Sequence, residues 1–86
     1  MKLCRNSNVY SKKVRDTWHI LEPRGAFVRE LNETAGVIWE HTKKPVSEES
    51  IVQHLASLYN KPPDECTKDV HEFISEYLKA GLLVRS

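Results

Sequence analysis

The sequence predicts a small α+β domain, in which an antiparallel N-terminal sheet of about three strands precedes three helices. Alternating β-branched and aromatic residues occupy the first third of the 86-residue chain, and three apolar stripes with helical spacing occupy the rest. Capping residues, proline and glycine stand between these segments. Because a chain of this length buries only a thin core, we expect a single domain over residues 1–86.

The first third of the chain predicts a hairpin and one further strand. Along residues 17–21 the apolar side chains of Trp18 and Ile20 share one face, as in a half-buried strand. The return strand of the hairpin is predicted over residues 26–31. Residues 9–15 predict a third strand, although two adjacent lysines interrupt its alternation.

A tight turn is predicted between the two hairpin strands, at the sequence Glu-Pro-Arg-Gly of residues 22–25. Pro23 presets φ for the second position of such a turn, and Gly25 is typical of the last position of a type I turn. A turn this short joins neighbouring antiparallel strands. We therefore expect the sheet to be antiparallel.

The first two helices are each predicted from a capping residue and an apolar stripe. Asn32 is a good N-cap for the first helix. Ser47 is a good N-cap for the second, and Val46 is placed as a hydrophobic staple against Ile51. Both helices end at a segment that contains proline. The expected apolar faces are Leu31, Ala35, Ile38 and Trp39 for the first helix, and Ile51, Leu55, Leu58 and Tyr59 for the second.

The third helix is predicted over residues 64–80 and has the longest apolar stripe. Gly81 follows at a position that suits the left-handed conformation of a helix end. Residues 82–84 are apolar and predict a short terminal strand or a packing tail. The stripe comprises Cys66, Val70, Phe73, Ile74, Tyr77 and Leu78.

Composition indicates a soluble protein of the cytoplasm. The formal net charge is +1, with residues 1–44 holding nine Lys or Arg against five Asp or Glu, and residues 45–86 holding four against seven. No apolar run approaches the ~18 residues of a membrane span, and the N-terminus lacks the apolar core of a signal peptide. We therefore expect no membrane partner, and we expect Cys4 and Cys66 to be reduced thiols.

No residue pattern predicts catalysis or a metal site. The spacing that a metal site needs with Cys, Asp or Glu is missing around all four histidines, His19, His41, His54 and His71. Cys66 belongs to an apolar stripe rather than to the polar cleft that a nucleophile needs. The three glycines do not form a phosphate-binding loop. We expect no catalytic residue, no metal and no cofactor, and interpret the chain as a non-catalytic binding module.

Three kinds of binding partner follow from this architecture. Three helices with a hairpin also build a winged helix-turn-helix, so DNA is one hypothesis. The predicted third helix holds two lysines against five acidic residues, a net charge of −3, which a DNA duplex would repel. An open sheet edge can instead accept an extended peptide as an added strand. The same edge could pair with a second copy of the chain, so a homodimer stays open.

Several segments together resemble one known family. The sequence has Trp-His-Ile-Leu at residues 18–21 and Leu-Asn-Glu-Thr-Ala at residues 31–35, and Ile38-Trp39 follows four residues after Thr34. These segments and the spacing of the two later helices are similar to the PqqD family, over about residues 9–84. The Leu-Asn-Glu-Thr-Ala segment is the most specific of them.

The resemblance implies a winged helix-turn-helix-like peptide chaperone. Members of the family are recognition elements for ribosomally synthesised and post-translationally modified peptides (RiPPs), and they bind the leader peptide of a precursor rather than DNA. The leader adds as a strand to the third strand of the sheet, beside the third helix. The partner is a modifying enzyme, often a radical S-adenosylmethionine enzyme in pyrroloquinoline quinone biosynthesis, elsewhere a cyclase or a protease. As a single domain, the chain is expected to act in trans on a precursor and with an enzyme that the sequence does not name.

Carried onto this chain, the resemblance implies a peptide-binding site between the return strand and one side of the third helix. Val28 and Arg29 are the best candidates on the strand, because alternation turns at least one of them outward. Leu31 also fits a packing role, and Phe73 and Ile74 also fit the core. The acidic third helix is expected to favour a basic leader. The expected site comprises Ala26, Phe27, Val28, Arg29, Glu30 and Leu31 on the strand, and Asp69, Val70, Phe73, Ile74 and Tyr77 on the helix.

Overall fold

The computed structural model describes residues 2–22 and 28–86. Its strands form two three-stranded antiparallel sheets, and its helices follow the first hairpin, so the predicted α+β class is confirmed. The elements in chain order are β1 Lys2–Arg5, β2 Tyr10–Val14, β3 Thr17–Leu21, β4 Val28–Glu30, α1 Glu33–His41, β5 Val46–Ser47, α2 Glu48–Tyr59, α3 Pro63–Lys79 and β6 Leu83–Arg85.

The three strands predicted in the first third of the chain form the sheet β2–β3–β4. β3 lies in the middle and pairs antiparallel with β2 on one side and with β4 on the other. Arg15 and Asp16 join β2 to β3, and both have positive φ, as in a type I′ hairpin turn. The predicted return strand is observed as β4. Residues 23–27, which include most of the predicted turn, lie outside the described residues.

A second sheet, in which β1 lies between β5 and β6, was not predicted. Leu3 of β1 is paired with Val46 on one side and with Arg85 on the other. The terminal strand predicted over residues 82–84 is confirmed as β6. The other two strands, β1 and β5, were missed because they pair only after the helices have brought the N-terminus beside residues 46–47 and the C-terminus, and no local pattern indicates such distant pairing.

The helices begin and end close to the predicted residues. The Asn32 side chain accepts a hydrogen bond from the Ala35 backbone N–H at 2.8 Å, and the Ser47 hydroxyl accepts one from the Ser50 N–H at 3.1 Å. Both contacts satisfy a backbone donor that the first turn of a helix leaves unpaired. Gly81 follows α3 with a φ of 78°, which is the predicted left-handed conformation.

One cluster of buried side chains joins both sheets to the helices. On α2 the prediction of Leu58 as part of the apolar face is wrong, because Leu58 is more than half exposed whereas Val52 and Ala56 are buried. The buried side of α2 is rotated toward these two residues because α2 packs mainly against α3. None of the helices described is both long and apolar enough to cross a membrane.

Two tryptophans hold the sheet β2–β3–β4 against α1. A Cβ atom on Gly36 of α1 would meet Cδ1 of Trp18 at 3.3 Å, so the helix approaches β3 closely at this glycine. The Arg5 guanidinium lies 4.8 Å from the ring centroid of Trp18 and 4.5 Å from that of Trp39. It also donates a hydrogen bond to the Trp39 carbonyl at 2.8 Å. These contacts tie β1, β3 and α1 together, and β4 is attached to this unit by its pairing with β3.

Candidate functional site

β4 is an edge strand of its sheet, because within the described residues it pairs with β3 alone. The Leu31 N–H donates to the Trp18 carbonyl at 2.9 Å, so Leu31 is directed at β3. In an antiparallel pair, residues directed at the partner alternate with residues directed away from it. Arg29 therefore bonds toward β3, whereas the backbone N–H and C=O groups of Val28 and Glu30 point to the open edge.

The C-terminal half of α3 lies beside β4, and Arg29 connects the two. Its guanidinium donates to the Glu22 carboxylate through Nε at 2.8 Å and to the Glu76 carboxylate through Nη1 at 2.5 Å. It also lies 5.0 Å from the ring centroid of Tyr77. The side chain of Glu22 is 15% exposed and that of Glu76 is 61% exposed. Arg29 therefore bridges the largely buried carboxylate of Glu22, at the end of β3, and the exposed carboxylate of Glu76 on α3.

Arg29 and Tyr77 both have raised pKa values, for different reasons. Partial burial acts to lower the pKa of Arg29, but its hydrogen bonds to Glu22 and Glu76 outweigh burial and place the pKa above its ordinary value. Burial raises the pKa of the Tyr77 phenol, and the nearby Arg29 offsets this only in part. The site thus holds a cation between two anions, next to a neutral phenol.

Fewer residues of α3 are accessible to a ligand than the sequence predicted. Val70 and Ile74 are 0% and 4% exposed and pack in the core, so in this conformation they are not on the surface that a ligand meets. Phe73 is partly buried and stacks on Tyr77, with ring centroids 3.8 Å apart. Asp69 is exposed one helical turn before Phe73. Tyr77 is 4% exposed, so like Ile74 it is buried, although its ring contacts Arg29 of β4. The exposed side chains of this stretch of α3 are therefore Asp69 and Glu76, with Phe73 partly exposed between them.

The predicted site residues on the strand differ in where their side chains lie. Val28 and Glu30 are exposed on one face of the sheet, while Arg29 faces α3. Leu31 is buried and packs in the core, which agrees with the packing role that the sequence also allowed for it. Ala26 and Phe27 lie outside the described residues. The structure thus brings Val28, Arg29 and Glu30 to the same edge as the exposed side chains of α3.

The predicted set of site residues did not include the two carboxylates that hold Arg29. Glu76 was expected only to add to the acidic charge of α3 that favours a basic leader, and its pairing with Arg29 was not predicted. Glu22 was considered only as part of the turn, and nothing local to it indicates a partner seven residues later. Its role becomes visible only through the pairing of β3 with β4.

The site offers backbone hydrogen bonds, aromatic surface and fixed charges. Over residues 2–22 and 28–86, no group of three or more His, Cys, Asp or Glu side chains is arranged to hold a metal ion. An open strand edge is a template for a further extended chain. The arrangement can therefore bind a polypeptide strand along β4, with α3 as its neighbour.

The fold and this open edge define a small winged-helix-like domain. Residues 17–83 match the model of the family described as coenzyme PQQ synthesis protein D (PqqD). The match covers well over half of the chain, which therefore belongs to the PqqD family. The resemblance drawn from the sequence is confirmed.

Two solved structures have the same fold. One is described as TbiB1 in complex with the TbiA(beta) leader peptide, with a TM-score of 0.83, 19% identity, and 93% of each chain covered. The other is the solution NMR structure of the PqqD truncation of Methylobacterium extorquens PqqCD, described as a functional and stand-alone RiPP recognition element. It has a TM-score of 0.77 and 16% identity, and covers 98% of this chain and 89% of that one. No curated protein sequence matches this chain.

Proposed function

We propose that this chain is a non-catalytic recognition module that binds the leader peptide of a ribosomally made precursor as an added strand on β4. The observation that carries the proposal is the open edge of β4, where Val28 and Glu30 present backbone donors and acceptors without a partner among the described residues. Membership of the PqqD family supports it. So do the two structures with this fold, one in complex with a leader peptide and one described as a RiPP recognition element.

Strand addition suits the geometry because the two kinds of contact come from different parts of the site. Backbone bonds to Val28 and Glu30 supply affinity that does not depend on sequence. The inward side chains of the added strand lie toward Arg29 and the exposed side chains of α3, which supply specificity. Phe73 is partly exposed and stacks on the buried Tyr77, so its ring is the aromatic contact on this side of the strand.

The charge of α3 favours a peptide over DNA. Its five acidic residues are all exposed, and it has only two lysines. A helix with this charge repels the phosphate backbone, so it does not suit a DNA-recognition role. A leader with Lys or Arg near Asp69 and Glu76 gains attraction that is screened by salt.

A recognition module of this kind acts by delivering its peptide to another protein. We propose a modifying enzyme as that partner, namely a radical S-adenosylmethionine enzyme, a cyclase or a protease, with the encounter in the cytoplasm and no cofactor held by this chain. Pairing of two copies through β4 is the competing use of the same edge, and it excludes the peptide because both need the same backbone groups.

The test is an amide NMR titration of ¹⁵N-labelled protein with the leader half of a precursor encoded beside its gene. Binding at β4 is expected to shift the amides of Val28 and Glu30, together with those of residues 69–77. A scrambled leader of equal charge is the control for non-specific attraction, and a DNA duplex is titrated separately. The proposal would be overturned if the amides of β4 and α3 did not shift at millimolar peptide. It would also be overturned if sedimentation showed a dimer that no tested peptide dissociates.

A further inference from the structure

The sheet β2–β3–β4 has a second face, opposite to the face that Arg29 shares with α3, and an apolar row crosses it. Tyr10, Leu21 and Val28 are 63%, 45% and 55% exposed. The register sets Tyr10 opposite Leu21, and Leu21 opposite Val28, so these three residues form one row across all three strands. They line a shallow depression of about 330 Å³ on this face. We call these three residues the apolar row.

A second row lies beside it, two residues along each strand. Lys12 is opposite His19, and His19 is opposite Glu30, so these three residues form a charged row. The His19 Nε2 lies 3.6 Å from a carboxylate oxygen of Glu30, whose side chain is 73% exposed. The charged row thus begins with a cation on β2 and ends with an exposed anion on β4.

Both rows end at the open edge of β4, where the next strand of the sheet would continue them. We propose that this outer face reads alternate side chains of the added peptide: an apolar side chain beside Val28, and a Lys or Arg beside Glu30. These two peptide residues lie two positions apart, because alternate residues of a strand share a face. The residue between them faces Arg29 and α3. The inference rests on the proposed strand addition and states what the peptide must carry.

The proposed preference for these two peptide side chains rests on contacts between neighbouring residues on adjacent strands. An apolar side chain beside Val28 is covered by the row and leaves water, while an opposite charge beside Glu30 gains a direct neighbour. In two of the possible registers a second copy of the chain fits less well. Antiparallel pairing of two β4 strands about Arg29, or about Glu30, places like charges directly opposite each other, which is unfavourable.

The test is a selection of random dodecapeptides by mRNA display against the full chain. The wild type is expected to enrich peptides in which an apolar residue and a Lys or Arg stand two positions apart, in either order. Leu21→Ser is expected to lose the apolar preference, and Glu30→Lys is expected to exchange the basic preference for an acidic one. Leu58→Ser and Glu40→Lys are the matched controls, since both alter exposed residues outside this face, and they are expected to keep the wild-type pattern.

Substitutions in a selected peptide then give a second test, in which the wild-type protein itself is not changed and so is not destabilised. Replacing its apolar residue by Ala is expected to weaken binding to the wild type about twofold to fivefold. Replacing its Lys by Glu is expected to weaken binding to the wild type and to restore it with Glu30→Lys.

Three results would overturn the inference, and they separate it from the proposed function. If selected peptides shift the amides of Val28 and Glu30 but share no such pattern, the outer face does not read the peptide, and strand addition stands. The same holds if charge exchange at Glu30 leaves the preference unchanged. If no selected peptide shifts the β4 amides, strand addition itself fails and this inference fails with it.

Discussion

Arg29 of β4 and Glu76 of α3 are joined by a hydrogen-bonded ion pair of 2.5 Å, which links the open strand edge to the helix beside it. On its other side Arg29 donates to Glu22, whose side chain is far less exposed than that of Glu76. The two carboxylates therefore differ in what they contribute. Within residues 2–22 and 28–86, Glu22 has Arg29 as its ion-pair partner and is largely buried, whereas Glu76 can be solvated by water.

This difference predicts unequal effects of removing each partner. Arg29→Met is expected to lower the free energy of unfolding by about 1–3 kcal/mol, because it leaves the largely buried Glu22 carboxylate without this donor. Glu76→Gln is expected to change it by no more than about 0.5 kcal/mol, since exposed ion pairs contribute little. Urea unfolding followed by circular dichroism measures both. Equal losses for the two variants would contradict the assignment of Glu22 as the dependent partner.

The backbone alternation in β4 predicts which proline weakens peptide binding. Val28→Pro removes an N–H that points to the open edge, and is expected to weaken the leader complex by about 1 kcal/mol, or roughly fivefold. Calorimetric titration with the leader peptide measures the change. Lys13→Pro is the control, because the same alternation puts the Lys13 N–H on the outer edge of β2, away from the site. Equal weakening by both variants, with the fold intact, would contradict the placement of the peptide on β4.

The acidic side of α3 predicts a salt-dependent contribution to affinity. The double variant Asp69→Lys with Glu76→Lys is expected to weaken binding of a basic leader at low salt, and the loss is expected to shrink as salt screens it. The double variant Glu40→Lys with Glu49→Lys makes the same change in net charge on α1 and α2 and is expected to have a smaller effect. Affinities measured at 20 mM and 500 mM salt provide the comparison. A loss that does not depend on salt would remove the electrostatic part of the proposal.

The raised pKa of Tyr77 predicts a loss of stability in alkaline solution. The ordinary value is 10.0, and the folded protein holds the phenol neutral beyond it. As the pH rises above 10, the unfolded chain releases this proton first, so the unfolded state is favoured and the free energy of unfolding falls. Below pH 10 this group makes no such contribution. Urea unfolding at pH 8, 9, 10 and 11 measures the fall.

Tyr77→Phe is the control for this pH dependence, because it keeps the ring that stacks on Phe73 and removes the titrating group. Its free energy of unfolding is expected to fall less steeply above pH 10 than that of the wild type. Parallel curves for the two proteins would show that other groups cause the alkaline loss.

Much of the fold follows from patterns that act over a few residues. Asn32 and Ser47 satisfy the first backbone donors of their helices, and Gly81 adopts the conformation that ends α3, so each was predicted correctly from its neighbours. Leu58 shows where such reasoning fails. Its spacing fits the apolar face of α2, but contact with α3 decides which side of the helix is buried.

The candidate site could likewise be predicted only in part. The residue types were available in advance, since alternation marks the return strand and charge marks α3. What could not be predicted was which residues of the apolar stripe of α3 face the core and which remain accessible at its border. Val70 and Ile74 are buried while Phe73 is only partly buried, although all three belong to the same stripe.

The sequence by itself determined the helices and their ends, the hairpin strands, the acidic character of α3 and the family, because each depends on local conformational preference or on residue identity. Only the tertiary structure decided that the chain ends form a second sheet, that Glu22 and Glu76 share Arg29, and that Val28 and Glu30 turn their backbone groups to the open edge. The physical reason is that strand pairing and ion pairing join residues distant in sequence. Such contacts exist only once packing has set their separation and direction.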